Sequence, residues 1–87
     1  MSVIWKYKLE TPDEQIIQMP RWAKILCVDT QHGKPYLWAL VNPKYDKIDV
    51  CIRVVETGHV IRGMEDWNYI GIYKLDDGSV MFHVFTV

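Results

Sequence analysis

The sequence predicts an all-β domain, built as a small antiparallel barrel or sandwich of six to seven short strands with room for one short helical turn. Strand-like apolar runs recur at short spacing with turn residues between them, and no segment has a convincing 3.6-residue period. The last run, residues 80–87, is apolar on both alternating faces. Such a strand needs cover on both sides, which a closed barrel, a two-layer sandwich or a subunit interface provides.

The first strand is predicted from an alternation over residues 3–9. Its apolar face carries Val3, Trp5, Tyr7 and Leu9. The opposite face carries two lysines, so one side of this strand is expected to be buried and the other wetter.

Residues 11–19 fit two structures, of which a short strand is favoured. A helical turn could begin with Thr11 as N-cap, Pro12 at the first helical position and Glu14 closing a capping box. Two adjacent isoleucines, and the proline that follows the run, favour the strand instead.

The middle of the chain predicts a hairpin and a further apolar strand. Residues 23–30 and 36–41 form two strands around a turn in which Gly33 supplies positive φ. The polar residues 43–49 form a loop, and residues 50–55 form the next strand.

The last two strand-like runs predict a second hairpin. Residues 69–75 and 79–87 form a hairpin across Asp76-Asp77-Gly78, since Asp-Gly is a strong hairpin signal.

The two residues after Pro20 fit two roles. Arg21 and Trp22 could form an interface anchor or the start of the next strand.

Composition limits the classes of function. The 87 residues are expected to form one domain, 1–87, and the net charge of −1 argues against binding to duplex nucleic acid. Cys27 and Cys51 lie in apolar runs without a CxxC motif, which predicts buried, reduced thiols. With no signal peptide and no 18-residue apolar run, we expect a soluble cytoplasmic protein that does not engage a membrane.

Residues 56–68 are the best candidate for a binding site, because long irregular loops in small domains are commonly functional. Thr57-Gly58-His59 places a hydroxyl, a bare backbone amide and an imidazole together, and Arg62 suits phosphate or carboxylate. Trp67 and Tyr69 could stack on a base. The alternatives are that the glycine only makes a turn, that the arginine is solvated and that the tryptophan caps the core.

His83 lies in the last strand on the same side as Met81 and Phe85. It fits either a core histidine bonded to a nearby carbonyl or a ligand contact inside a pocket. The other two histidines lie on separate segments, so a metal site is not expected.

Catalytic signatures are missing from the sequence. There is no GxSxG motif and no phosphate-cradling glycine loop, and neither Ser2 nor Ser79 has an evident base. The acidic pairs Glu65-Asp66 and Asp76-Asp77 consist of adjacent residues, which point apart in a strand or turn. These observations predict a protein that is not an enzyme and needs no cofactor.

Several segments together resemble a group of small uncharacterised proteins of bacteriophages and prophages. They are Ile4-Trp5-Lys6-Tyr7-Lys8-Leu9, Met19-Pro20, Ala23-Lys24-Ile25-Leu26, Leu37-Trp38-Ala39-Leu40-Val41, Thr57-Gly58-His59, Tyr69-Ile70-Gly71 and Phe82-His83-Val84-Phe85. The resemblance runs nearly end to end. It implies a counter-defence protein that either sequesters a host signalling nucleotide or blocks a host defence protein. A third possibility is a structural or virion accessory protein that acts through self-association.

Sequestration predicts a pocket with polar groups and aromatic walls, and contact inhibition predicts an exposed aromatic patch. The residues expected to bind the ligand are Thr57, Gly58, His59, Arg62, Trp67, Tyr69, His83 and Trp38. Strands that are apolar on both faces also predict a homodimer or larger homo-oligomer, formed through an edge strand.

Overall fold

The computed structural model describes residues 1–10, 13–63 and 66–87. Its strands are β1 (Val3–Lys8), β2 (Asp13–Pro20), β3 (Lys24–Gln31), β4 (Lys34–Val41), β5 (Lys47–Glu56), β6 (Asn68–Leu75) and β7 (Val80–Thr86), and a 3-10 turn covers Asp76–Gly78. The all-β prediction is confirmed, with seven strands in the described part of the chain. Within the described ranges they form two separate antiparallel sheets stacked as a sandwich, not a closed barrel.

The three-stranded sheet has the order β1-β4-β3, and the four-stranded sheet has the order β2-β5-β7-β6. Every pair of neighbouring strands is antiparallel. The strand preferred for residues 11–19 is confirmed by β2, while Thr11 and Pro12, which would have begun the helical alternative, lie outside the described residues.

The core lies between the sheets and follows the period of two along each strand. In β4, Leu37, Ala39 and Val41 are at most 1% exposed. They pair in register with Tyr7, Trp5 and Val3 of β1. The core cluster consists of Leu9, Ile17, Met19, Val28, Leu37, Ala39, Val41, Ile52, Val54, Tyr73 and Val84.

Turn chemistry sets the β3–β4 hairpin. His32 and Gly33 both have positive φ, at 53° and 77°, which is the two-residue pattern whose twist matches antiparallel strands. The predicted positive φ of the glycine is confirmed.

Each long side of the sandwich is held by a specific contact. A Cβ built on Gly71 of β6 would lie 3.1 Å from Val28 Cγ2, so the absence of a side chain lets β6 and β3 approach closely. On the other side, the Gln15 side chain donates from Nε2 to the Lys8 carbonyl at 3.0 Å and accepts from the Glu10 amide at 2.7 Å.

The prediction of buried thiols was wrong for Cys27, which is exposed, whereas Cys51 is half-buried. The pairing of β3 with β4 shifts register between Ile25 and Cys27. This bulge and the uncovered outer face of the three-stranded sheet leave both Leu26 and Cys27 open to solvent.

Both faces of the last strand contain buried residues, as its apolar sequence predicts. Val84 is fully buried towards the core, and Phe85 on the opposite face is only 7% exposed. Among the described residues, no helix is long and apolar enough to cross a membrane.

Candidate functional site

The outer face of the four-stranded sheet carries a row of side chains that strand pairing brings together. Arg53 of β5 is in register with Phe85 of β7, and Phe85 is in register with Tyr69 of β6. In the next row, Val55 is opposite His83. Residues distant in sequence therefore meet on one surface.

The described residues between β5 and β6 cover part of this face. The Trp67 ring lies 5.5 Å from the Phe85 ring, and the Tyr69 ring lies 5.2 Å from it on the other side. The Arg53 guanidinium lies 4.7 Å from the centroid of the Trp67 ring, within the range of a cation–π contact. At the start of the segment, the Thr57 amide donates to the Met81 carbonyl at 3.2 Å.

His83 is half-buried and has a hydroxyl at each ring nitrogen. Thr57 Oγ1 lies 2.8 Å from Nε2, and the Tyr69 hydroxyl lies 3.2 Å from Nδ1. A hydroxyl can donate or accept, so this chain of three groups is satisfied with the imidazole proton on either nitrogen. Of the two roles that the sequence left open for His83, the core role expected a carbonyl partner, and the described partners are hydroxyls.

Beside this network lies a polar pocket of about 270 Å³ lined by Arg53, Val55, His59, Val60, Ile61, Arg62 and Trp67. Two guanidinium groups and an imidazole thus share one recess. Among its described lining residues there is no carboxylate. Glu56 lies at the rim, with its Oε1 3.5 Å from His59 Nε2, and both of these side chains are substantially solvent-exposed.

Arg53 has an unusual environment. Its Nε is buried and has no hydrogen-bond partner among the described residues. Glu14 is its cross-strand neighbour, but the carboxylate lies against the Cys51 thiol, with Oε2 3.5 Å from Sγ. A buried N–H without an acceptor is costly. Because Arg53 also lines the pocket, its positive charge is available to an anion that binds there.

Cys51 lies beside this arginine and is held in its neutral form. Burial raises the pKa of the Cys51 thiol, and the nearby Glu14 carboxylate raises it further, against a smaller lowering by the positive charge of Arg53. Because the thiolate is the nucleophilic form, this thiol is poorly suited to attack a substrate at neutral pH.

The structure brings seven of the eight predicted residues to this region: Thr57, Gly58, His59, Arg62, Trp67, Tyr69 and His83. Gly58 has φ of 94° in the turn closed by the hydrogen bond from the His59 amide to the Glu56 carbonyl, at 3.1 Å. The turn-forming role that the sequence left open for this glycine is therefore present.

Trp38 is not brought to this site. It lies between the buried Leu37 and Ala39 of β4, so it points away from the core on the outer face of the three-stranded sheet. With Ile4, Leu26, Cys27 and Asp29 it lines a different, shallow recess of about 340 Å³. The core separates Trp38 from Arg62, and one ligand cannot use both as pocket walls.

Sequence reasoning missed Arg53. The available signal was a single arginine inside the otherwise apolar run 50–55, on the face that alternation assigns to the outside of the sheet. Within residues 1–10, 13–63 and 66–87, no three His, Cys, Asp or Glu side chains are grouped so as to hold a metal ion.

The chain belongs to a family defined as a domain of unknown function, DUF7352, whose model matches residues 1–87. No curated protein and no solved structure matches it.

Proposed function

We propose that the pocket between Arg53, Arg62 and Trp67 binds a phosphate-bearing small molecule, and that the ligand is a nucleotide. The observation that carries the proposal is the convergence of two guanidinium groups and the His59 imidazole on one recess whose described lining residues include no carboxylate. Guanidinium groups bind phosphate oxygens bidentately and remain charged at all relevant pH values.

The aromatic groups at the site supply the second half of nucleotide recognition. Trp67 is half-buried and forms a pocket wall, and Tyr69 exposes 56% of its surface on the same sheet face. A base can stack on such rings, which contributes about 1–3 kcal/mol per base. The phosphate would lie between the arginines and the base would lie against an aromatic ring.

The volume of the pocket limits how much of a nucleotide it can enclose. Its volume of about 270 Å³ is slightly below the range of about 300–1,000 Å³ that is usual for small-molecule sites. A phosphoryl group with its sugar fits such a recess, and the base or a second nucleotide would extend over the sheet face.

Binding without chemical conversion is part of the proposal. Each nitrogen of His83 faces a hydroxyl, whereas catalytic triads orient their histidine with a carboxylate. The Cys51 thiol is held neutral by burial and Glu14. These features support sequestration better than hydrolysis or group transfer.

The proposal extends to a biological setting that rests on the sequence resemblance to phage and prophage proteins. In that setting the protein acts in the bacterial cytoplasm as a counter-defence factor and removes a signalling nucleotide made by the host.

The test is a thermal-shift screen against linear and cyclic nucleotides, with the matching nucleosides and inorganic pyrophosphate in the same panel. At a hundredfold excess over its dissociation constant, a ligand adds about 2.7 kcal/mol, which raises the Tm of a small domain by several degrees or more. We expect a phosphate-dependent shift in the wild type that is lost in Arg62→Ala with the fold and oligomeric state retained.

Arg21→Ala is the matched control, because Arg21 is a guanidinium already paired with Asp46 outside the pocket. Equal shifts in the wild type and Arg62→Ala would remove the site assignment. The absence of any shift across the panel would reject the nucleotide and favour a protein target.

Inhibition of a host protein by contact is a second candidate, favoured by the outer face of the three-stranded sheet. That face exposes Ile4 by 56%, Leu26 by 44% and Leu40 by 37%, around the half-buried Trp38. Binding of a host protein that is lost in Trp38→Ala and kept in Arg62→Ala would select this candidate.

A further inference from the structure

The corner between β2 and β3 displays a tryptophan. Trp22 is 75% exposed and lies outside both strands, which end at Pro20 and begin again at Lys24. Its φ is 64°, a left-handed conformation that large side chains rarely adopt. Of the two roles that the sequence allowed for this residue, the start of a strand is therefore excluded.

The surrounding residues hold this conformation in place. The Arg21 amide donates to the Asp46 carbonyl at 2.8 Å, and the Arg21 guanidinium donates from Nη2 to Asp46 Oδ2 at 3.1 Å. The Tyr45 ring meets the Trp22 ring edge-on with centroids 4.9 Å apart. A strained residue that is fixed by several contacts and exposed to solvent is typical of a recognition site.

An apolar cavity of about 480 Å³ opens directly beside this tryptophan. It lies between the two sheets, with Met19 and Val50 from the four-stranded sheet, Ile25 from the three-stranded sheet and Trp22 itself among its lining residues. A dry apolar cavity of about 150 Å³ is enough to bind benzene. An indole ring therefore fits in this space.

We propose that this corner is the contact surface of a homodimer, in which Trp22 of each copy inserts into the cavity of the other across a two-fold axis. A two-fold interface uses the same patch on both subunits, so the patch must complement itself. Here the projecting aromatic ring and the receiving cavity are neighbours on one surface.

Charge complementarity also favours a second copy as the occupant. The strand pairing that leads into the corner places Lys47 beside Pro20 and Asp49 beside Gln18, next to the Arg21–Asp46 ion pair. Both signs of charge are present, so each cation can meet an anion of the partner.

The outer face of the three-stranded sheet lacks this balance. Its outward positions include Lys6, Lys8 and Lys24, with Asp29 as the acidic residue of the recess on that face. Two such faces would place like charges opposite each other, which disfavours self-association there.

The area of the corner indicates a weak dimer. An aromatic side chain contributes roughly 150–250 Å² when it is buried, whereas a stable interface buries about 800 Å² per subunit. Trp22 and Tyr45 supply part of that area and the mouth of the cavity supplies more. The expected dissociation constant is on the order of micromolar to hundreds of micromolar.

Sedimentation velocity of the ligand-free protein, from roughly 1 μM to 1 mM, tests the dimer. We expect a concentration-dependent monomer–dimer equilibrium that Trp22→Ala weakens at least about 100-fold, since buried tryptophans dominate such interfaces. Trp38→Ala is the matched control and should dimerise like the wild type. A monomer at all concentrations, or an unchanged dimer in Trp22→Ala, would overturn the proposal.

A complementation experiment tests the insertion itself. Ala23→Phe fills the cavity from its wall but keeps Trp22, so this variant alone should dimerise as poorly as Trp22→Ala. An equimolar mixture of the two variants restores one of the two insertions and should dimerise more tightly than either variant alone. If the mixture does not dimerise more tightly, the tryptophan does not enter the partner's cavity. Circular dichroism establishes beforehand that Ala23→Phe folds. If Ala23→Phe does not fold, Ile25→Phe is used in its place.

Discussion

Two arginine–tryptophan pairs lie among the described residues, and their environments differ. Arg53 lies 4.7 Å from the Trp67 ring, and no described residue accepts a hydrogen bond from its buried Nε. Arg21 lies 5.9 Å from the Trp22 ring and forms an ion pair with Asp46 at 3.1 Å. The first tryptophan is half-buried against the sheet and the second is 75% exposed.

This difference shows that residue type alone does not assign a role to such a pair. At Arg21 the charge is already neutralised by a carboxylate, so the exposed ring is the part available to a partner. At Arg53 the ring is used in packing over Phe85, and the cation retains unsatisfied hydrogen-bonding capacity. The first arrangement suits protein contact and the second suits an anion.

The largest effect that would separate the two pairs concerns their tryptophans. Trp67→Ala should lower the free energy of unfolding by about 2–3 kcal/mol, because it uncovers Phe85 and leaves Arg53 without its ring contact. Trp22→Ala should change the monomer's stability by less than about 0.5 kcal/mol, since most of the ring is already in water. Urea unfolding at low protein concentration measures both.

If the two variants were equally stable, Trp67 would be a loosely held loop residue and the pocket would lose one wall. If Trp22→Ala were the less stable variant, the corner would be a structural element instead of a contact surface.

Much of this fold was predictable because strand alternation is a local property. The strand predicted at residues 23–30 is Lys24–Gln31 in the structure, and the one predicted at 36–41 is Lys34–Val41. The inward residues of β1 and β4 also follow directly from their spacing. The hairpins could be predicted from their turn residues alone, because turn conformation is also a local property.

The candidate site was predictable only in part, because it depends on which sheet face the irregular segment covers. Local sequence grouped Thr57, His59 and Arg62, and the structure places them near His83 or in the adjacent pocket. Local sequence did not indicate that Trp38 lies on the opposite side of the core. It also did not indicate that Arg53, from another strand, lines the pocket. Those positions are set by sheet order, which links residues far apart in the chain.

Trp22 has a left-handed backbone conformation, so replacing it by glycine should relieve strain. At φ of 64° a residue with a Cβ is strained by about 1–2 kcal/mol, whereas glycine adopts this conformation readily. Trp22→Gly should therefore be about 1 kcal/mol more stable than Trp22→Ala in urea unfolding of the monomer. Equal stability of the two would mean that the corner relaxes out of the left-handed conformation once the ring is removed.

The arginines provide a third and smaller contrast. Arg53→Met keeps an unbranched apolar chain and removes a buried N–H that has no acceptor in the described part of the chain. The free energy of unfolding should therefore stay the same or rise by up to about 1 kcal/mol. Arg21→Met removes one partner of an ion pair and should lower stability slightly. A clear loss of stability in Arg53→Met would show that the guanidinium stabilises the fold, through its contact with the Trp67 ring or through an acceptor in solution.

The smallest effect is the acid dependence of the corner. Hydrogen bonding to Arg21, and then its positive charge, lower the pKa of Asp46 in the folded state. A carboxylate whose folded pKa lies below its unfolded value of about 3.9 contributes stability that is present above that value and lost as pH falls through the folded pKa.

Unfolding measured between about pH 6 and pH 2 should therefore show wild-type stability converging on that of Asp46→Asn below about pH 4, with the difference reduced at high salt because the pair is exposed. Arg53 has no ion pair with any described carboxylate, so Arg53→Met should run parallel to the wild type across the same range. If the stabilities of Arg53→Met and the wild type converged in that window, a carboxylate would neutralise Arg53 in the folded protein. The proposal that the pocket binds an anion would then be contradicted.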